Sequence, residues 1–128
     1  MNNKDILIFT DLDGSLINHK NFEFNTIKPF ILKWLRNNIR IIPNTSKTKN
    51  EVEFFSEQLG VDIPFIVENG SAIHNLDLVC SHFDKNIKSL ILSRTANEIF
   101  EIFNNKVPLS LRNQCLFLKD MNASKQSK

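Results

Sequence analysis

The strongest constraint on the fold is an apolar run that stops abruptly. Ile6-Leu7-Ile8-Phe9 leads, one residue on, into Asp11-Leu12-Asp13-Gly14. A continuous apolar stretch of this length reads as a strand buried on both faces, the habit of parallel sheets. Residues 11–24 are polar and carry Gly14, which predicts a loop. A helical pattern follows, with Ile27, Phe30, Ile31, Trp34 and Leu35 on one face. Asn25 or Thr26 is placed to cap it, and Pro29 falls in the first turn, where proline is tolerated. Ile39, Ile41 and Ile42 predict a second strand that closes at Pro43–Thr45. Ser46 or Thr48 can open a second helix, with Val52, Phe55 and Leu59 inward and Gly60 as its stop. Phe65-Ile66-Val67 predicts a third strand, ending at Glu68-Asn69-Gly70.

This order is βαβαβ. Strands joined by helical crossovers run parallel, with right-handed connections. Binding sites in such sheets lie beyond the carboxyl ends of the strands. Asp11, Thr45 and Glu68 stand at those three ends, so topology alone predicts their convergence. Further on, residues 71–80 read as a small hairpin with a turn near Asn75. Leu90-Ile91-Leu92 predicts a strand, Arg94 to Asn105 a helix, and Leu116-Phe117-Leu118 another strand. A polar tail closes the chain. These features predict a boundary near residue 81, dividing it into 1–80 and 81–128.

Composition excludes several classes. The 128 residues are 41% hydrophobic and 23% charged, which excludes a disordered chain. No apolar run approaches the roughly 18 residues needed to span a bilayer. Sixteen basic and 14 acidic residues leave a formal charge of +2, too balanced for a nucleic-acid partner. Asn2-Asn3-Lys4-Asp5 does not open a signal peptide, so a cytoplasmic protein with no membrane partner is expected. Cys80 and Cys115 are then expected as reduced thiols. His19, His74 and His82 lack metal-ligand spacing.

The chemistry concentrates in Asp11-Leu12-Asp13-Gly14-Ser15-Leu16. Side chains at i and i+2 of an extended segment point the same way, so Asp11 and Asp13 are expected to project together. Two close carboxylates resist joint ionisation unless a cation lies between them or one keeps its proton. The first case makes a hard-cation site for Mg²⁺. The second supplies a nucleophile and a general acid. Gly14 permits the tight turn that brings the loop back over the site. A plain strand followed by an Asx-type turn is the alternative reading of the same residues.

The string D-L-D-G-S-L after an apolar strand resembles the first motif of the haloacid dehalogenase superfamily of phosphotransferases. Thr45, in Pro43-Asn44-Thr45-Ser46-Lys47-Thr48, matches its second motif. F-T-D-L-D-G, T-S-K-T and P-F-I-V-E-N-G, in this order and spacing, are similar to the mannosyl-3-phosphoglycerate phosphatase family. Phe117-Leu118-Lys119-Asp120-Met121 resembles a segment of that family's cap. Ser15 stands where threonine is usual, and Phe22 where an aromatic hydroxyl is common.

The resemblance implies an α/β fold: a partial Rossmann-like parallel sheet of haloacid dehalogenase type, followed by the start of an α+β cap. It implies hydrolysis of a phosphomonoester through an aspartyl-phosphate on Asp11. Asp13 would be the acid and base. Asp11 and the Asp13 carbonyl would hold Mg²⁺. Thr45, Ser46, Lys47, Glu68 and Asn69 would bind the phosphosugar mannosyl-3-phosphoglycerate, giving mannosylglycerate. A downstream lysine and a G-D-G-x-N-D-like acidic motif, which the resemblance also implies, find no match after residue 74. The expectation is therefore the N-terminal part of a phosphatase, ending inside the cap. Ile6–Phe9 would then be an exposed edge, open to a second chain that supplies the missing core strands. The alternatives are a catalytically inactive fragment, a module that binds a phosphosugar or partner chain, and a related sugar-phosphate phosphatase.

Overall fold

A computed structural model describes residues 6–18, 23–79, 87–117 and 121. His19, Phe22, Cys80, His82, Leu118, Lys119 and Asp120 lie outside the described residues, as does the boundary expected near residue 81. The chain forms two compact units, Met1–Ser93 and Arg94–Lys128.

The first unit holds the βαβαβ pattern. Strand β1 (Ile6–Thr10) pairs in parallel with β2 (Ile39–Pro43), from Ile6↔Ile39 to Thr10↔Pro43. Helix α1 (Lys28–Arg36) joins them, and α2 (Lys49–Leu59) leads from β2 to β3 (Phe65–Val67). A single parallel bridge, Asn44↔Ile66, ties β2 to β3. Strand β3 then pairs antiparallel with β4 (Ala72–His74), and β4 with β5 (Ser89–Ile91). Among the described residues 71–79, the hairpin expected over 71–80 does not form. Asn75 does turn the chain, at a φ of 55°, but β4 finds its partners in β3 and β5.

The core explains this arrangement. Ile31 of α1, Ile41 of β2, Val52, Phe55 and Leu59 of α2, and Phe65 and Val67 of β3 form one buried cluster. Leu12, Leu16 and Ile17 join it from the loop after β1. Strand β2, with Ile41, Ile42 and Pro43 buried, lies at the centre. The reading of β1 as buried on both faces is corrected: Ile6, Leu7 and Phe9 are 53%, 46% and 58% exposed. The physical reason is pairing, since among the described residues β1 has only β2 beside it. It is the exposed apolar edge that the resemblance implied.

Helix starts differ in one case. Ile27, not Asn25 or Thr26, is the N-cap of α1, and no side chain caps it. The amides of Ile27 and Lys28 instead bond the Phe24 carbonyl at 3.0 and 2.9 Å, so a backbone turn does the work. Thr48 opens α2 as expected, and Gly60 stops it at a φ of 83°, the left-handed conformation that favours glycine. Among the described residues, no helix is long and apolar enough to cross a membrane.

In the second unit, α3 (Ala96–Lys106) is opened by a capping box of Thr95 and Glu98. Phe117 meets Phe100 and Phe103 edge-on at 4.9 and 5.1 Å. A short helix α4 (Leu109–Arg112), absent from the sequence reading, precedes Leu116 and Phe117, which are not in a strand. Cys115 is an exposed free thiol.

His74 is buried on β4, its ring 5.1 Å from Phe65 and its Nδ1 2.8 Å from Ser89 Oγ on β5. Burial, aided by the charge of Lys49, holds its pKa below the ordinary 6.5, while Glu53 and Glu68 oppose the shift.

Two measurements check this packing. Leu12→Ala removes a fully buried side chain and should cost about 2–5 kcal/mol, read by urea unfolding with Trp34, the single tryptophan, as reporter. The unfolded chain protonates His74 more readily than the folded one. Stability should therefore fall as pH drops from about 7 to about 5, and His74→Gln should flatten that slope. An unchanged slope would refute the buried neutral imidazole.

Candidate active site

The site is built at the carboxyl ends of the strands by backbone hydrogen bonds. The Asn44 amide donates to the Thr10 carbonyl at 2.8 Å, fastening the end of β2 to the end of β1. The Thr45 amide donates to the Ile66 carbonyl at 3.1 Å, fastening it to β3. In return, the Asn69 amide donates to the Thr45 carbonyl at 3.1 Å and the Glu68 amide to the Lys47 carbonyl at 3.0 Å. Glu68, Asn69 and Gly70 take φ values of 50°, 56° and 93°. Glycine and asparagine accept such values readily, and glutamate does not. The turn that presents this segment is thus held by its bonds to the β2 end.

The loop after β1 alternates inward and outward. Leu12 is buried between Asp11 and Asp13. Gly14, at a φ of 73°, donates its amide to the Ile17 carbonyl at 2.7 Å and closes the turn.

A cleft of about 370 Å³ is lined by Asp11, Asn44, Thr45, Ser46 and Asn69. Four of the seven residues singled out in the sequence therefore meet there. Asn44 was not singled out, although its place one residue before Thr45, at the end of β2, is the signal that points to it. The Asp11 carboxylate accepts the Leu12 amide at 2.7 Å. Thr45 is buried, and its hydroxyl accepts the Lys47 amide at 3.2 Å.

Asp13 and Lys47 meet as an ion pair, Lys47 Nζ standing 3.2 Å from Asp13 Oδ2. The pair is largely shielded, with side-chain exposures of 16% for Lys47 and 25% for Asp13. The other Asp13 oxygen, Oδ1, is buried and has no hydrogen-bond partner. Glu68 enters through its amide, and its carboxylate does not line the cleft. Burial works against the Lys47 charge, but the hydrogen bond and charge of Asp13, with Glu51, outweigh it and raise the ammonium pKa above the ordinary 10.5.

The family model described as haloacid dehalogenase-like hydrolase matches residues 8–120. The chain belongs to this family. It is 46% identical over 68 residues to the glucosyl-3-phosphoglycerate/mannosyl-3-phosphoglycerate phosphatase of Persephonella marina, covering 53% of this chain and 25% of that protein. It is 36% identical over 101 residues to the protein of the same name from Methanococcoides burtonii, covering 79% of this chain and 33% of that one. The mannosyl-3-phosphoglycerate phosphatase of Pyrococcus horikoshii is 45% identical over 67 residues, 52% of this chain and 27% of that one. The chain thus spans about a quarter to a third of the length of these relatives. Among solved structures, a haloacid dehalogenase-like hydrolase from Bacteroides thetaiotaomicron superposes with a TM-score of 0.60 at 19% identity, over 80% of this chain and 36% of that one. One from B. subtilis gives 0.56 at 24% identity, over 84% and 34%. These two likenesses bear on the α/β fold alone.

The raised Lys47 pKa carries a sign. A folded-state pKa above the unfolded one adds stability below the unfolded value and loses it as pH rises through the folded one. Lys47→Met should therefore be less stable than the parent at neutral pH, with the gap closing only above pH 10.5, the ordinary lysine value. Urea midpoints of the two proteins across the alkaline range check this, and a gap that closes well below that value refutes it.

Proposed function

We propose that this chain carries the nucleophile and the phosphate-binding elements of a Mg²⁺-dependent phosphomonoester hydrolase acting on mannosyl-3-phosphoglycerate. The observation that carries the proposal is the single cleft at the strand ends that gathers Asp11, Thr45, Ser46 and Asn69. Membership of the hydrolase family supports the reaction class, and the names of the relatives support the substrate.

The chemistry follows from the groups present. Asp11 attacks phosphorus in line with the leaving sugar oxygen, forming an acyl phosphate as the ester P–O bond breaks. Asp13 would have to take up a proton, parting from Lys47, before it could give that proton to the departing oxygen; as the carboxylate again, it would take one from the water that attacks the acyl phosphate. Phosphate leaves and Asp11 is restored. The Thr45 hydroxyl and the Ser46 side chain hydrogen-bond the phosphoryl oxygens, and Asn69 contacts the rest of the substrate; Lys47 and Glu68, which do not line the cleft, would reach the substrate only if their side chains turned from the places they hold here.

The donors fit magnesium. Among the described residues no group of three or more His, Cys, Asp or Glu side chains is gathered for a metal. What the loop offers is hard oxygen: the Asp11 carboxylate at the cleft and, two residues on in the chain, the Asp13 carbonyl. Mg²⁺ is held by one or two carboxylates together with water and substrate phosphate, which matches so small a set. When bound there, the ion would offset the phosphate charge. The proposed protein is cytoplasmic, with a phosphosugar as its small-molecule partner and with a second chain able to pair along β1.

Purified chain should release phosphate from mannosyl-3-phosphoglycerate with Mg²⁺ and stop when the metal is chelated. Asp11→Asn should lower turnover by about a thousandfold or more, measured as inorganic phosphate. Turnover that survives this substitution sinks the assignment. Binding of substrate without turnover in the parent chain favours the non-catalytic phosphosugar-binding module instead.

A further inference from the structure

Lys47 is held by a second carboxylate that the catalytic reading does not use. Glu51 Oε1 stands 3.5 Å from Lys47 Nζ, on the first turn of α2. Its other oxygen, Oε2, accepts the Thr48 amide and the Thr48 hydroxyl, both at 2.8 Å. These two bonds hold the Glu51 carboxyl below the usual carboxylate range. Glu51 therefore does two things with one carboxylate. It closes the helix start with Oε2 and faces the ammonium with Oε1.

An exposed i,i+4 ion pair is usually worth little, because two long side chains must be ordered to make it. Here that ordering is largely in place. The Thr48 bonds fix one end, and Asp13, 3.2 Å from the same ammonium, fixes the other. The Lys47 backbone is also pinned, its amide to Thr45 Oγ1 at 3.2 Å and its carbonyl by the Glu68 amide at 3.0 Å. The result is a carboxylate–ammonium–carboxylate chain that runs from the start of α2 to the loop after β1.

We infer that Glu51 is a positioning residue, which holds the Lys47 ammonium against Asp13 and so fixes the Asp13 carboxylate on the loop after β1. This rests on the hydrolase reading for its consequence in turnover, but not for the placement itself. Glu51 contacts neither phosphate nor metal in this assignment. It acts through Lys47. Glu53 supplies the control, because it pairs with Lys49 at 3.3 Å on the same helix and not with Lys47.

The test compares Glu51→Gln and Glu53→Gln with the parent chain. Glutamine keeps an oxygen that can accept the Thr48 amide, so α2 should persist, checked by far-ultraviolet circular dichroism. The first readout is the Lys47 ammonium signal in a ¹H–¹⁵N NMR spectrum, assigned through its loss in Lys47→Arg. Glu51→Gln should speed exchange of these ammonium protons with water and shift the Asp13 side-chain carboxyl resonance, while Glu53→Gln leaves both in place. The second readout is turnover of mannosyl-3-phosphoglycerate, where Glu51→Gln should lower kcat about tenfold with KM little changed, the mark of a displaced catalytic group. Unchanged Lys47 and Asp13 signals in Glu51→Gln overturn the inference, whatever the activity. A KM effect with kcat intact overturns it too, since that would put Glu51 in substrate binding. A parent chain without turnover refutes the hydrolase reading, and the NMR comparison then decides the placement.

Discussion

The site depends on how the end of β2 is bonded on both sides. One amide, from Asn44, goes to the end of β1, and the next, from Thr45, goes to β3. Successive amides on an extended chain point in opposite directions, so two neighbouring residues can serve two flanking strands. The two bonds bring the loop after β1 and the turn after β3 to the same place. The core makes this possible, because β2 is the strand with the most buried residues, and burial leaves its backbone groups no water to bond.

From that point the side chains follow. Asp11 and Asp13 flank Leu12, which is buried in the core, so packing of one leucine orients two carboxylates. Thr45 is buried at the strand end and spends its hydroxyl on the next turn of chain, where Lys47 begins. Lys47 then reaches back to Asp13 and sideways to Glu51. Strand ends, loop and helix start are coupled through short bonds.

Much of this was legible in the sequence, and for physical reasons. The periodic apolar residues of α1 and α2 had a single inward face, and Gly60 marked where α2 had to stop. The three strand ends converged because crossovers force parallel strands. The parts that were not legible depend on partners distant in sequence. The buried reading of β1 failed because an apolar run reports what a strand could bury, not what lies beside it. The N-cap of α1 went to Ile27 because a backbone turn satisfied the free amides before a side chain was needed. The hairpin expected over residues 71–80 gave way to pairing of β4 with β3 and β5. Glu51 was available as a signal, since threonine followed three residues later by glutamate is a capping box. The sequence did not reveal that the second oxygen of that glutamate would face the site.

By itself, then, the sequence determined the order of strands and helices, the end of the sheet at which the cleft lies, and Asp11, Thr45 and Ser46 within it. These follow from local periodicity and from the steric rules of chain connection. Tertiary structure alone decided that Asp13 pairs with Lys47, that Asn44 joins Asp11 and Thr45 in one cleft, and that Glu68 contributes its amide while its carboxylate stays out of the cleft. Such choices turn on distances of about 3 Å between residues far apart in the chain, where a hydrogen bond or ion pair is made or lost within a few tenths of an ångström. No periodic pattern encodes that.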